Sequence, residues 1–246
     1  MVLDCNLHDN VGHGIAIWKQ DDTADTGLYG EVKDCLMVDN GENGIQCAKT
    51  AGADEHPNGV IFDGNYVEGN GNYAYIIQGD NLEVRRNELF GRGYVNGCVD
   101  SNFYNNTFFA QVGGGLYSVY IQQARSDGVV FKNNIVFCDL AGGMAIGVAN
   151  TAETNIDIDY NLYHLNGEAI TNTRWNWLGV NKSHADWLTG SGQDANSPTP
   201  GDPLFVSEDD PWDLILGSGS PAIDAGVDVG LTYLGTAPDC GANELE

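Results

Sequence analysis

The chain has 246 residues, of which 35 are Asp or Glu and only 10 are Lys or Arg, so its formal net charge is −25. This length suits a single domain, and the acidity disfavours nucleic acid and anionic membrane surfaces as partners. No apolar run approaches the roughly 20 residues that a membrane-spanning helix needs. We therefore expect one acidic domain whose ligand is neutral or is bound with the help of calcium, or a protein suited to high salt.

A repeat organises the sequence, first over residues 2–17 and again over residues 32–47. Its copies align on one turn position, which is occupied by Cys5, Cys35, Asn65, Asn87, Asn106, Asn134 and Asn161. The position three residues before it is always apolar: Val2, Val32, Phe62, Val84, Phe103, Phe131 and Ile158. The position two residues after it is also apolar: Leu7, Met37, Val67, Leu89, Phe108, Val136 and Tyr163. Recurrence at intervals of about 19 to 30 residues predicts about seven stacked coils.

Each coil is predicted to contain three short strands, because apolar residues alternate with polar ones in short runs. The third strand shows as Ile15/Ile17, Ile45/Cys47 and Tyr75/Ile77, and later, slightly shifted, as Val119/Ile121 and Met144/Ile146. Asn and Gly stand at the corners, where they tolerate left-handed backbone. Asparagines stacked from coil to coil can also hydrogen-bond to one another. These features predict a β-solenoid.

The pattern N-x-x-x-x-N-x-x-x-G-I resembles the right-handed parallel β-helix of pectate-lyase-like proteins, over residues 1–172. The expected fold is all-β, with about seven coils and a C-terminal capping tail. Residues 173–246 are expected to form the cap and the final coil or coils of the same structural domain. Trp175, Trp177 and Trp187 are predicted to cover the open end of the solenoid.

The third strand of each coil is predicted to point a stripe of amide and aromatic side chains outward. The stripe includes Trp18, Gln46, Gln78, Tyr120 and Gln122. Such a stripe suits a polysaccharide, because aromatic rings offer apolar faces and amides bind hydroxyl groups. In pectate-lyase-like proteins this face commonly forms the substrate groove, so the resemblance implies the same location. The alternative is an ordinary exposed sheet face.

Two long loops follow this strand in the first two coils and begin at Lys19 and Lys49. The two loops bring together five carboxylates: Asp21, Asp22, Asp25, Asp54 and Glu55. His56 lies in the second loop and is a candidate substrate-binding residue. Clustered carboxylates suit calcium, and a lysine can act as a general base. The alternative is a set of solvated acidic loops. Arg125, which follows the third strand of the fifth coil, is a further catalytic candidate, with a surface arginine in a turn as its alternative.

The resemblance implies a reaction. In polysaccharide lyases of this fold, calcium neutralises a uronate carboxylate, and a Lys or Arg removes the proton at C5. The leading hypothesis is therefore β-elimination of an acidic polysaccharide. A noncatalytic glycan-binding or adhesive solenoid is the second hypothesis, and a glycoside hydrolase is the third.

Paired carboxylates on adjacent coils bear on the third hypothesis. Asp4/Asp34 and Asp9/Asp39 would lie about 4.8 Å apart, which is near the spacing of roughly 5 to 5.5 Å in retaining enzymes. They fall at corners away from the groove, so we interpret them as turn residues or a weak cation site.

Three further expectations concern the setting of the protein, its assembly and its cysteines. Residues 193–244 resemble the C-terminal tail of many bacterial secreted β-helix proteins that act on carbohydrates, which implies a secreted protein whose signal peptide precedes this sequence. The uncapped first coil is expected to allow self-association. Cys5 and Cys35 occupy one column at a distance that a disulfide accepts, and stacked free thiols are the reading we favour.

Overall fold

Three parallel sheets wind around one apolar core in the computed structural model, which describes residues 1–19, 30–49, 56–111, 116–122, 125–139, 141–149, 155–209 and 212–245. Sheet A consists of Val2–Leu3, Gly30–Lys33, Val60–Asp63, Glu83–Arg85, Asn102–Tyr104, Val130–Lys132 and Asp157–Asp159. Sheet B consists of Asn6–His8, Leu36–Val38, Tyr66–Glu68, Glu88–Phe90, Thr107–Ala110, Ile135–Cys138 and Leu162–Leu165. Sheet C consists of Ile15–Lys19, Ile45–Lys49, Tyr75–Ile77, Gly93–Asn96, Tyr117–Gln122, Met144–Val148, Trp175–Trp177 and the antiparallel Val180–Lys182. The predicted all-β parallel solenoid is confirmed.

The strand register follows the repeat. The apolar column that begins at Val2 runs through sheet A in the predicted order, and the column that begins at Leu7 runs through sheet B. In sheet C the predicted pairing was wrong at one strand, where Met144 and Ile146 were matched to Val119 and Ile121. The observed partners lie two residues further along: Ile146 pairs with Val119, and Val148 pairs with Ile121. Alternate residues of Met144–Val148 are all apolar and buried, so periodicity alone does not fix the pairing.

An asparagine ladder joins the coils at the corner between sheets A and B. Its members are Asn65, Asn87, Asn106, Asn134 and Asn161, and each side-chain amide donates to the next side-chain oxygen at 2.8–3.0 Å. The residue before each has a positive φ of 52–66°, which is the left-handed corner that the sequence predicts. Each ladder side chain is buried, so the amides satisfy one another without water.

The C-terminal segment covers the outer face of sheet B. Outward residues such as Phe109, Phe137 and Leu162 pack against Phe205 and other residues of this segment. Two strands of the segment, Phe205–Ser207 and Asp213–Leu216, pair antiparallel. Where the segment covers them, the strands Thr107–Ala110 and Ile135–Cys138 are buried on both faces and are nearly continuous apolar runs.

The predicted tryptophan cap is present at the end of the solenoid. Trp175 and Trp187 are fully buried in the core, and Trp177 packs edge-on against Trp187 at 5.6 Å. Trp187 belongs to the helix His184–Ser191, which begins after the capping side chain of Ser183. In the part of the chain that the structure describes, no helix has the length and apolar character to cross a membrane. All six cysteines are free, as favoured for Cys5 and Cys35.

Candidate functional site

The outer face of sheet C, here called the sheet C face, is built from alternate residues of its strands. Core-facing residues such as Val95 and Ile121 are completely buried, so the residues between them point outward. One outward row contains Gln46, Ile76, Tyr94, Tyr120, Gly147 and Asn176, as set by the strand register. A second row, two residues further along each strand, includes Asn96 paired with Gln122. The face thus presents tyrosines on one row and amides on the next.

Four tyrosines form a continuous aromatic surface on this face, here called the tyrosine platform: Tyr73, Tyr94, Tyr117 and Tyr120. The rings of Tyr117 and Tyr120 stack in parallel with centroids 4.4 Å apart and an interplanar angle of 6°. Tyr94 lies 6.0 Å from Tyr120 and 5.0 Å from Tyr73, edge-on to both. Burial raises the pKa of Tyr94 and of Tyr117, so these hydroxyl groups remain protonated donors at neutral pH.

A glycine makes the platform possible. Tyr117 lies over Gly147 on the next strand, and a Cβ atom added at Gly147 would clash with the Tyr117 ring. Any larger residue at this outward position would push the ring away from Tyr120. The local sequence MAIGV therefore leaves space for an aromatic side chain that the preceding coil supplies.

Arg92 places a positive charge beside the platform. Its guanidinium carbon lies 4.5 Å from the centre of the Tyr73 ring, which is cation–π geometry. Among the described residues Arg92 has no carboxylate partner within ion-pair distance. Its charge therefore stays available to an anionic ligand.

The cations of this acidic chain are concentrated around sheet C. Six of its ten Lys and Arg residues lie in the strands of that sheet or next to them: Lys19, Lys49, Arg92, Arg125, Arg174 and Lys182. The other four, Lys33, Arg85, Arg86 and Lys132, lie in or next to sheet A, and each forms an ion pair with a carboxylate. The described strands of sheet B contain none. Around sheet C, Arg125 and Arg174 are paired as well, with Asp80 and Glu168. Because sheet C still holds most of the cations, its face is here called the cationic side.

A second polar group lies where the strands of sheet C end. Lys19 and Lys49 occupy paired positions in neighbouring strands, as predicted, although the side chain of Lys19 lies outside the described part. Arg125 is held in place: its Nη2 lies 2.6 Å from Asp80 Oδ2, and its Nη1 donates to the Gly97 carbonyl at 2.7 Å. With both terminal nitrogens engaged, Arg125 is better placed to supply positive charge than to remove a proton.

His56 is a buried histidine at this end of the face. Its side chain is 8% exposed, and Nδ1 has no hydrogen-bond partner among the described residues. Burial lowers the pKa of His56, the charge of Arg125 lowers it further, Asp80 opposes this, and Lys49 adds to the lowering. The imidazole is therefore neutral at neutral pH. The influence of Lys49 and Arg125 also shows that they act on one small region.

The predicted groove residues occupy different environments. Trp18 is 46% exposed and stands 6.2 Å from His13, whereas Tyr120 and Gln122 are half-buried on the sheet C face. Gln46 and Gln78 are buried. Their oxygens accept from Asn43 Nδ2 at 2.5 Å and from the Lys49 backbone at 3.3 Å, respectively, so these amides orient neighbouring groups.

The predicted calcium ligands, Asp21, Asp22, Asp25, Asp54 and Glu55, lie outside the described residues. The described part of the chain contains no group of three or more His, Cys, Asp or Glu that could hold a metal ion. The paired carboxylates Asp4/Asp34 and Asp9/Asp39 have φ values of 49–53°, as expected of turn residues.

Sequence reasoning missed Arg92 and three of the four tyrosines. The fourth coil is short and lacks the Gly-Ile signal that marks the third strand in the first two coils. Its strand Gly93–Asn96 was therefore not recognised. The alternation in GYVN, with Val95 inward and Tyr94 outward, is the signal that could have identified it.

The fold is a parallel β-helix. No protein-family profile matches the sequence, and no curated protein matches it. Among solved structures, the chain is similar to one titled "Crystal structure of pectate lyase Pel9A", with a TM-score of 0.52 and 16% sequence identity. The similarity covers 100% of this chain and 59% of that one. At this identity it establishes the fold alone.

Proposed function

We propose that the protein binds an acidic polysaccharide on the sheet C face and cleaves it by β-elimination. The observation that carries this proposal is the position of Arg92 beside the tyrosine platform, on the cationic side of a chain with a net charge of −25. A polyanion would be repelled by most of this molecule, but here it meets an available positive charge and aromatic rings.

The binding mode follows from the order of side chains across the face. Sugar rings stack on Tyr94 and Tyr120, and a uronate carboxylate pairs with Arg92. Asn96 and Gln122 stand on the next outward row, about 7 Å away along the strand, where their amides can bind hydroxyl groups. Both side chains are half-buried, so part of each is open to a ligand.

In the proposed reaction, Lys49 takes the proton from C5 of a uronate, with Lys19 as the second candidate base. The C5 electron pair forms the C4–C5 double bond, the C4–oxygen bond breaks, and the leaving oxygen takes a proton from water. Negative charge develops on the uronate during this step. The positive charge of Arg125, which already lowers the pKa of neighbouring His56, stabilises that charge.

Calcium remains part of the proposal through Asp21, Asp22, Asp25, Asp54 and Glu55. These carboxylates are close in sequence to the two candidate bases, and a hard cation bound there would add positive charge next to the substrate. A chelator tests this point separately from the lysines.

The test is ultraviolet absorbance of the unsaturated product, measured on alginate, pectate and glycosaminoglycans with calcium and with chelator. Lys49→Ala is expected to lower the rate by about 100-fold or more, in the range of a lost general base. Lys33→Ala is the matched control, because Lys33 lies on sheet A. If absorbance rises equally in wild type and in the variant lacking both Lys19 and Lys49, the assignment of the base is wrong.

A noncatalytic glycan-binding solenoid is the second candidate. This candidate is favoured because the terminal nitrogens of Arg125 are already engaged and His56 is buried. The tyrosine platform would then explain binding without a reaction. This candidate predicts that a polyuronate binds and that binding is lost in Arg92→Ala, with no absorbance and no new reducing ends. New reducing ends without absorbance would indicate hydrolysis.

A further inference from the structure

A separate cavity of about 250 Å³ lies where sheet B turns into sheet C and the C-terminal segment crosses the corner. It is here called the corner pocket, and the described residues that line it are Glu68, Gly69, Asn70, Asn72, Ala74, Phe90, Gly91, Phe109, Gln111 and Trp212. Asn72 precedes Tyr73 and Gly91 precedes Arg92, so the pocket adjoins the tyrosine platform without sharing its residues.

The aromatic wall of the pocket is fixed in advance. Trp212 Nε1 donates to Glu68 Oε1 at 2.6 Å, and the indole packs on Phe109 at 4.8 Å and on Phe90 at 5.5 Å. The other oxygen of Glu68 accepts from the Tyr66 hydroxyl at 2.7 Å. Trp212 is thus positioned by a hydrogen bond and by ring contacts, so a ligand would not have to order it.

The rim of the pocket offers free amide groups. Asn70 is committed, because its amide donates to the Met37 and Glu68 carbonyls. The exposed Asn72 side chain makes no hydrogen bond to another described residue, and Gln111 makes one long contact of 3.4 Å through Nε2. Two amides therefore face solvent beside an aromatic wall.

The charge of the lining selects against anions. Among the described lining residues Glu68 is the only charged one, and none is Lys or Arg. A carboxylate or sulfate placed here would meet the Glu68 carboxylate with no compensating cation. The volume lies just below the roughly 300–1,000 Å³ of pockets for drug-sized ligands, which suits a single ring.

From this combination we propose that the corner pocket binds one neutral sugar unit. Its apolar face stacks on Trp212 and Phe90, and its hydroxyls bind the Asn72 and Gln111 amides. The sheet C face, with Arg92, takes acidic units, and the corner pocket takes neutral ones. The inference does not depend on the proposed cleavage reaction, because it concerns binding alone.

The test is saturation-transfer NMR on the full chain with methyl glycosides of neutral hexoses and pentoses, and with galacturonate and glucuronate. At least one neutral sugar is expected to bind with a millimolar Kd and more tightly than either uronate. Trp212→Ala is expected to weaken binding by about tenfold. Asn72→Ala and Gln111→Ala are expected to weaken it less, and they remove exposed side chains that do not support the fold.

Tyr233→Ala is the control, because Tyr233 is an exposed aromatic residue that lies neither on the sheet C face nor in the lining of the corner pocket; it is expected to leave binding unchanged. Arg92→Ala separates the two sites, since it should weaken polyuronate binding and spare neutral sugars. The proposal is overturned if no neutral sugar binds, if uronates bind as tightly as neutral sugars, or if the three pocket variants bind like wild type. It is also overturned if binding is lost in Arg92→Ala and kept in Trp212→Ala.

Discussion

Asp194 is a buried carboxylate at the junction between the solenoid and its cap. It is 2% exposed and accepts hydrogen bonds from Trp187 Nε1 at 2.7 Å, the Tyr163 hydroxyl at 2.8 Å and Ser197 Oγ at 2.6 Å. Its oxygen also ends the asparagine ladder, through Asn161 Nδ2 at 3.2 Å. Burial raises its pKa from 3.8 to about 6, although these donors oppose the shift.

This raised pKa gives a pH dependence of known sign. The folded state holds the Asp194 proton more tightly than the unfolded state, so the stabilisation is complete below about pH 4 and is lost as pH rises through about 6. The loss amounts to about 3 kcal/mol of unfolding free energy. Denaturant unfolding of the wild type should show this loss between about pH 4 and about pH 6, and unfolding of Asp194→Asn should not.

The control for this prediction is the exposed Asp228, whose carboxylate accepts from the Gly230 backbone at the surface. Asp228→Asn should follow the pH profile of the wild type. If Asp194→Asn also runs parallel to the wild type, then Asp194 is ionised throughout this range in the folded protein.

At the scale of elements, the asparagine ladder ties each coil to the next. Asn106 Oδ1 accepts from both the backbone and the side chain of Asn87, and its amide donates to Val84 O and Asn134 Oδ1. Asn106→Ala leaves several buried donors and acceptors without a partner, and each of these costs about 1–3 kcal/mol. We therefore expect a loss of about 3 kcal/mol in unfolding free energy. The measurement is the urea midpoint and slope.

A matched variant is Asn10→Ala, which removes an exposed amide from the outer end of a second ladder with Asn40 and Asn70. Water can replace its hydrogen bond, so the loss should stay below about 1 kcal/mol. Equal losses in the two variants would show that position within the stack does not determine the cost.

The strand Met144–Val148 contributes to the tyrosine platform because Gly147 has no side chain. Gly147→Ala brings a Cβ atom against the Tyr117 ring, so Tyr117 must leave its stacked position on Tyr120. We expect weaker binding of acidic polysaccharide, by severalfold, with far-ultraviolet circular dichroism unchanged. Gly12→Ala, which meets no atom within 4 Å, is the control. Unchanged polysaccharide binding by Gly147→Ala would exclude stacking on this pair of rings.

At the scale of the whole molecule, the sequence was enough to predict the solenoid because the same packing requirement recurs in every coil. Each coil places an apolar residue at the Val2 and Leu7 columns and a corner residue between them, and neighbouring coils must match to bury them. The partner of the outer face of sheet B was harder to predict. Phe109 and Phe205 are far apart in sequence and share no repeat, so their contact depends on where the tail crosses the solenoid.

The backbone framework of the candidate site was easier to predict than its side-chain contacts. The sheet C face and the Lys19–Lys49 column followed from strand periodicity. The tyrosine platform did not, because Tyr73 precedes its strand and Tyr117 leans over Gly147 of the next coil. Such contacts depend on side-chain direction across coils, and alternation within a strand does not encode that.

The opposition between net charge and local charge yields a prediction about salt. At long range a polyuronate meets a molecule with a charge of −25, whereas at contact it meets Arg92 on the cationic side. The Debye length is about 30 Å at 0.01 M salt and about 8 Å at 0.15 M. Adding salt should therefore first raise the association rate constant, by removing long-range repulsion, and then lower it as the pairing with Arg92 is screened. Stopped-flow measurements over this range should show a maximum, which carboxyl-reduced polymer should lack. In Arg92→Ala the rate constant should rise with salt and not fall again, because the attractive contact is gone. If instead the rate constant of the wild type falls steadily from the lowest salt, local cations already dominate at long range.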